Sequence, residues 1–220
     1  MSQNWEAALS KILIGERLNI AASVTLAGSA ILGMISGRAF PFQSMEDAAF
    51  YLFTDMWSGN FVVISEFLAF VAFVFNALGT RRASADESAF QNALFALIGG
   101  AACFFAENAL VNFGAIFDVA STICDLAAAY FICKGAVGLV EKFGATTVAM
   151  GDGILKVVLV AFGAVVILTI IAYAFGSLRV ATHILNGYVF RVLITLSASV
   201  GHTATLRLVS ASKNALNGKL

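Results

Sequence analysis

Long, nearly uninterrupted apolar runs recur along the chain, and they constrain its fold more than any other feature. A helix that spans a bilayer needs about 20 mostly apolar residues. A soluble domain of 220 residues cannot bury many such runs, because folded surface falls only slowly relative to mass. The runs that are predicted to span are Leu18–Ile35, Phe61–Leu78, Phe90–Ala106, Ala109–Cys133, Val157–Phe175 and Leu178–Val200.

The composition excludes several other classes of protein. Hydrophobic residues make up 60% of the chain and charged residues 12%, against about 45–50% and about 25% in an average soluble domain. Disordered chains are polar and charged. A nucleic-acid-binding protein needs excess positive charge, whereas the formal net charge here is zero. We therefore expect an integral protein of a bacterial or organellar inner membrane.

The spans are predicted to be helices, so the fold class is all-α: a polytopic transmembrane helix bundle that forms one domain over residues 1–220. Barrel strands alternate apolar and polar residues over about ten positions, whereas these runs are continuous. The single proline, Pro41, lies between the first two spans and so breaks no helix. A four-span arrangement stays open, in which the third and fourth segments form a re-entrant pair.

Basic residues predict the orientation, because Lys and Arg near the ends of spans favour the cytoplasmic side. With six spans and a cytoplasmic N-terminus, Arg38 and Arg179 fall outside and Arg191 falls within the membrane. Both termini are then predicted to be cytoplasmic. The basic residues on the inner side are Lys11, Arg17, Arg81, Arg82, Lys134, Lys142, Lys156, Arg207, Lys213 and Lys219.

Short amphipathic helices are expected on either side of the spans, which occupy residues 18–200. Residues 1–17 place Trp5 and Ile12 near one face, a pattern typical of a helix on the membrane surface. Residues 201–220 are predicted to form a similar amphipathic tail. The aromatic residues between 37 and 60 favour a further interfacial helix, since aromatic rings concentrate at headgroup depth.

Charges within spans are costly, at about 2.5–3.5 kcal/mol each on insertion scales. Asp118 and Asp125 share one face of the fourth segment, and Arg179, His183 and Asn186 share one face of the sixth. We expect the acidic face to meet the basic face. The set is either a structural network of ion pairs or a proton path, and it comprises Glu66, Asp118, Asp125, Arg179, His183 and Arg191.

No pattern of catalytic, cofactor-binding or metal-binding residues is present. The three cysteines do not form CxxC, and His183 and His202 are too few for an intramembrane metal site. The sequence therefore predicts a protein that is not an enzyme and has no cofactor, although bound lipids are expected. Small residues instead predict close helix packing, at Gly33, Gly37, Gly99, Gly100 and Gly163.

The stretch Ala48–Gly176 resembles small multi-span inner-membrane proteins of type IVB secretion and conjugation systems. The resemblance lies in the loop Gly79-Thr-Arg-Arg82, in Ala96–Ala102, and in Lys134–Gly144 followed by an apolar span. It implies a scaffold or pilin-like role in an envelope machine. The extra first and last spans, and the lack of proline after the third span, depart from that pattern.

Three hypotheses follow from these observations. The first is a non-catalytic structural subunit of a larger membrane complex, with other membrane subunits, further copies of itself and lipids as partners, and no nucleic acid. The second is a small proton-coupled transporter or channel that uses the intramembrane Asp, Glu and His residues. The third is an accessory subunit of a respiratory or ATP-synthase-type complex.

Overall fold

A computed structural model of the chain describes residues 4–38, 45–110, 113–143, 151–177 and 183–218. These residues form six α-helices and no β-strand, and each helix is long and apolar enough to cross a bilayer. The all-α fold class and the six spans are thereby confirmed. The helices are α1 (Asn4–Arg38), α2 (Met45–Ala83), α3 (Ala89–Ala109), α4 (Gly114–Lys142), α5 (Gly151–Ser177) and α6 (His183–Asn217).

The third and fourth helices are each long enough to cross without forming a re-entrant pair. The shorter of them, α3, has 21 residues, which corresponds to about 31 Å at a rise of about 1.5 Å per residue. The hydrocarbon core of a bilayer is about 30 Å thick. The dimensions therefore favour six spans over four.

The helices extend well beyond the predicted spans, and the expected interfacial helices are not separate elements among the described residues. Residues 4–17 are the first turns of the 35-residue α1, residues 45–60 begin the 39-residue α2, and residues 201–217 end the 35-residue α6. No proline interrupts these helices. Trp5 and Ile12 are buried against other helices, so this face packs against protein and does not lie on a membrane surface.

Five of the six helices meet in one hydrophobic cluster, here called the basal cluster. It joins the beginnings of α1 and α3 to the ends of α2, α4 and α6. Because these contacts link helices from both ends of the chain, they hold the bundle together. Its buried members are Trp5, Ala8, Leu9, Ile12, Ala83, Phe90, Ala93, Ile132, Ala136, Leu139, Val140, Val209 and Leu216.

A second cluster joins α4, α5 and α6 beside the first. Phe162 of α5 is central to it and is only 2% exposed. Cys133 and Ala129 of α4 and Leu208 of α6 pack around it. The last helix, α6, therefore contacts α1, α4 and α5, and it connects the two halves of the chain.

The first two helices form a closely packed pair that also uses hydroxyl groups. The Ser65 hydroxyl of α2 donates a hydrogen bond to the Ala22 carbonyl oxygen of α1 over 2.9 Å. Ser29 and Ser58 donate to each other's carbonyl oxygens over 3.0 Å. Hydroxyl-to-backbone bonds between helices satisfy polar groups where lipid offers no partner.

Large apolar side chains cover the outside of the bundle. Val160 is 72% exposed, Phe105 is 67% exposed and Phe67 is 65% exposed. A soluble monomer rarely exposes apolar patches of more than a few hundred Å². The surface is therefore that of a protein surrounded by hydrocarbon, which agrees with a multi-span membrane protein.

Gly79 provides a direct test of this packing. A methyl group at Gly79 would lie 2.6 Å from Cγ1 of Ile12 and 2.9 Å from the Ala8 carbonyl oxygen, whereas a methyl group at Gly163 would meet nothing within 4 Å. We predict that Gly79→Ala lowers the free energy of unfolding by about 1–3 kcal/mol, as overpacking does. Gly163→Ala should be neutral or raise it by up to about 1 kcal/mol through helix propensity. Thermal unfolding in mild detergent, followed by circular dichroism, measures both, and equal effects would contradict the packing described.

Candidate functional site

A buried carboxylate, that of Glu16, lies where α1, α2 and α6 meet. Glu16 is 2% exposed. Its Oε1 accepts a hydrogen bond from Nδ2 of Asn76 on α2 over 3.0 Å. Its Oε2 lies 2.8 Å from Nδ1 of His202 on α6. Both carboxylate oxygens are thus engaged, each by a different helix, and we call these three residues the Glu16 cluster.

Small and aromatic neighbours shape this cluster. A methyl group at Gly15 would lie 2.2 Å from Oδ1 of Asn76, so only a glycine there lets the amide approach α1 so closely. The Oδ1 atom itself is buried and has no hydrogen-bond partner among the described residues. The ring of Phe162 packs edge-on against the His202 ring, with centroids 4.9 Å apart. The apolar surroundings strengthen every polar contact within the cluster.

A second group of polar side chains lies on α3, α4 and α5. The Tyr173 hydroxyl of α5 donates a hydrogen bond to Oδ2 of Asp118 on α4 over 2.8 Å. Glu107 of α3 and Arg191 of α6 are both within electrostatic range of Tyr173. The Asp118 carboxylate of α4 therefore has a hydrogen-bond partner on α5.

Asp125 lies between these two groups. It interacts electrostatically with His202 and Glu16 on one side and with Asp118 on the other. Asp125 is exposed, and a methyl group at Gly100 of α3 would lie 3.6 Å from its Oδ1. In space, the polar side chains consequently follow one another from Asp118 through Asp125 to the Glu16 cluster.

The structure brings together only part of the predicted charge network. Asp118 bonds to Tyr173 of α5, and Asp125 interacts electrostatically with His202 of α6. Glu66 lies on an exposed face of α2, away from this network. Arg179 and the side chain of His183 lie outside the described residues. The expected meeting of the acidic face of α4 with the basic face of α6 therefore stays a prediction.

The glycines that were predicted to pack helices have different surroundings. A methyl group at Gly33 would lie 2.4 Å from Tyr188, and those at Gly99 and Gly100 would lie 3.4 and 3.3 Å from Cys124. These three glycines lie at helix contacts. Gly163 has open space beside it, so it packs against no described neighbour. The surroundings of Gly37 lie outside the described residues.

Sequence reasoning missed the Glu16 cluster, because Glu16 and Asn76 were not singled out and His202 was considered only as a metal ligand. Residues 1–17 and 201–220 were expected to lie on the membrane surface, where charges need no partner. Glu16 and His202 are separated by 186 positions in the chain, so no local spacing links them. One feature of the sequence does indicate that Glu16 belongs to the first spanning helix. No proline or turn separates Glu16 from the apolar run that follows.

The chemistry available to these groups is proton exchange and ion pairing. A carboxylate that contacts an imidazole can hold or pass a proton, and His is the side chain that titrates most readily near neutral pH. Within the described residues, no three His, Cys, Asp or Glu side chains converge to hold a metal ion. Cys133 is buried, and its Sγ lies 3.8 Å from the Thr205 hydroxyl, as a packed structural thiol would.

Fold and site together define a polytopic helical membrane protein with a buried carboxylate–imidazole contact in its bundle. Comparison with family models, with curated proteins and with solved structures gives no match. The resemblance to type IVB inner-membrane proteins therefore stays a prediction.

We predict that the Glu16 cluster holds α1, α2 and α6 together. His202→Leu leaves a buried carboxylate short of a partner, and Glu16→Leu leaves the imidazole and the amide without an acceptor. Each change should lower the free energy of unfolding by about 3–5 kcal/mol, as breaking a buried pair does. The double variant should cost much less than the sum, since no unpaired charge remains. The free energies of unfolding of the single and double variants in detergent measure this coupling.

The control for this cycle is Glu6→Gln. Glu6 is a half-exposed carboxylate whose Oε1 lies 4.0 Å from Nζ of Lys213. Surface pairs contribute at most about 1 kcal/mol, so this variant should unfold like the wild type. Additive effects of the His202 and Glu16 substitutions would show that the two side chains do not act as a pair.

Proposed function

We propose that the chain is a non-catalytic structural subunit of a larger assembly within the membrane. The observation that carries this proposal is the position of Glu66 on α2. Its carboxylate is exposed on the outside of the bundle. Val63 and Phe70, one turn away on either side, are 64% and 62% exposed. A carboxylate that interrupts an apolar outer face needs a partner from another molecule, because charge in hydrocarbon is costly.

The same chain offers no partner for Glu66 in the part that the structure describes, where no hydrogen bond or ion pair involves its carboxylate. A short carboxylate side chain also lacks the long stem with which Lys and Arg reach the interface. Glu66 lies within the apolar run Phe61–Leu78, so the headgroup region is more than one helical turn away. These features support a neighbouring helix as the source of the missing partner.

A second copy of the chain is a suitable neighbour. Ala83 of α2 and Val209 of α6 both lie in the basal cluster. At about 1.5 Å per residue, Glu66 is about 26 Å from Ala83 and Arg191 is about 27 Å from Val209. Arg191 is also exposed and forms no ion pair with the described residues. Glu66 of one copy and Arg191 of the next therefore lie at matching depth and carry opposite charge.

We predict that Glu66→Leu disrupts assembly without harming the fold. Cross-linking in native membranes followed by native mass spectrometry in mild detergent should show at least a tenfold loss of the assembled form, while the free energy of unfolding stays within about 0.5 kcal/mol of the wild type. The matched control is Asp55→Asn. Asp55 is an exposed carboxylate on the same helix, about 20° from Glu66 around the axis at 100° per residue, but it precedes the apolar run.

Exchange of the charges at Glu66 and Arg191 shows whether a second copy of the chain or another subunit supplies the partner of Glu66. If copies pair through Glu66 and Arg191, Glu66→Arg and Arg191→Glu each separate two differently tagged copies, and the double variant restores their association. If another subunit supplies the cation, the double variant stays unassembled. A wild-type protein that is monomeric in membranes and in mild detergent, with no other protein bound, would contradict the structural role.

Identification of the proteins that copurify with the chain separates the remaining forms of this proposal. Components of a secretion or conjugation machine would support the resemblance seen in Ala48–Gly176. Components of a respiratory or ATP-synthase-type complex would support the accessory-subunit hypothesis. Both predict the same dependence on Glu66, because both place α2 against a neighbouring subunit.

A proton-coupled carrier is the second candidate function. The series of carboxylate and imidazole groups in the bundle favours it. Asp125 interacts electrostatically with Asp118 and with Glu16 and His202 of the Glu16 cluster, and it is exposed. Acidic and imidazole groups at such positions mark proton relays in pumps and transporters.

For this candidate we predict that Asp125→Asn abolishes proton flux into liposomes, measured with an enclosed pH-sensitive dye, while the fold and assembly stay intact. Asp118→Asn should have the same effect, since it removes the next acid of the series. Asp55→Asn, outside the series, should leave flux unchanged. If the wild-type protein carries no more protons than empty liposomes under an imposed potential, the transport hypothesis is wrong.

A further inference from the structure

A groove runs along the outside of the bundle between α5 and α6. It comprises two cavities of about 400 and 660 Å³ that share Val157 and Val200 in their walls. Volumes of about 300–1,000 Å³ are typical of small-molecule sites. The floor is made of small side chains, which leave room beside the helices. They include Ala161, Ala164, Ser197, Ala204 and Ala211.

Two basic side chains lie at one end of this groove. Lys156 lines the first cavity and Arg207 lines the second. Their close sequence neighbours Val158 and Leu208 both belong to the cluster that joins α4, α5 and α6, so the two basic residues are at a similar level. Both are exposed, and neither forms an ion pair with a described carboxylate.

We propose that this groove binds one phospholipid with an anionic headgroup. The phosphate and any further negative charge lie between Lys156 and Arg207, and one acyl chain lies along the small residues of α5 and α6. Basic pockets between membrane helices recognise anionic headgroups in this way. The site is independent of the assembly role of Glu66, which lies on α2.

The shape of the groove favours an acyl chain over a protein helix as occupant. A helix with its side chains is about 10–12 Å across and would need a broad, flat face. The groove is instead a concave site with Ala164 and Ser197 in its lining. A flexible chain fills such a space without a matching pattern of side chains. The exposed Val160, 72% accessible, would lie along that chain.

The test compares phosphatidylglycerol with phosphatidylcholine bound to the intact protein. Protein in mild detergent is mixed with the two lipids, which carry identical oleoyl chains, and native mass spectrometry counts the lipids retained. The wild type should retain one phosphatidylglycerol about tenfold more often than phosphatidylcholine. Lys156→Gln combined with Arg207→Gln should remove this preference.

Two further variants separate a groove from diffuse surface attraction. Lys134→Gln combined with Arg82→Gln removes the same charge from exposed positions outside the groove, and it should keep the preference. Ala164→Leu keeps the charge but fills the groove, and it should lower retention of phosphatidylglycerol about tenfold. Glycerol 3-phosphate should not displace the lipid, because it lacks the acyl chains. Equal retention of the two lipids by the wild type, or a loss that is the same in the control pair, would overturn the proposal.

Discussion

The contact between Glu16 and His202 is the interaction on which the arrangement of the helices depends. It joins the first helix to the last, and Asn76 adds the second helix to the same carboxylate. Apolar contacts alone do not select one partner among six helices in lipid, since lipid tails are as apolar as leucine. A buried carboxylate is selective, because any arrangement that separates it from Asn76 and His202 leaves a buried charge without a partner. The basal cluster then packs around a topology that the polar contact has specified.

The polar side chains divide into those that the chain satisfies and those that it leaves on its surface. Glu16 has both oxygens engaged, and Asp118 accepts a hydrogen bond from Tyr173. Glu66 and Arg191 are exposed on α2 and α6. The first group explains how the bundle is held together. The second group, Glu66 above all, is the physical basis for the proposed assembly role.

The sequence was sufficient for the six spans but not for the ends of the helices. Continuous apolar runs identify a span without knowledge of its neighbours, because lipid requires internal hydrogen bonding. The extension of α1 back to Asn4 depends on the burial of Trp5 and Leu9 in the basal cluster, whose other members are distant in the chain. The candidate site also depends on contacts between residues that are distant in the chain, so the sequence predicted only part of it. The placement of Asp118 and Asp125 on one face followed from helical spacing, whereas the bond to Tyr173 depends on how α4 and α5 pack.

Small residues illustrate why composition predicts that helices pack but not where. The ring of Phe90 fills the space above Gly135, and the ring of Phe162 fills the space above Gly201. Among the described residues, no atom of another helix lies within 4 Å of a methyl group at Gly163. A small side chain therefore brings two helices together where atoms of the facing helix occupy the gap. Where none do, the small residue leaves open space beside its helix, and in a membrane lipid tails fill such space, because an empty gap would forfeit the dispersion contacts of its lining.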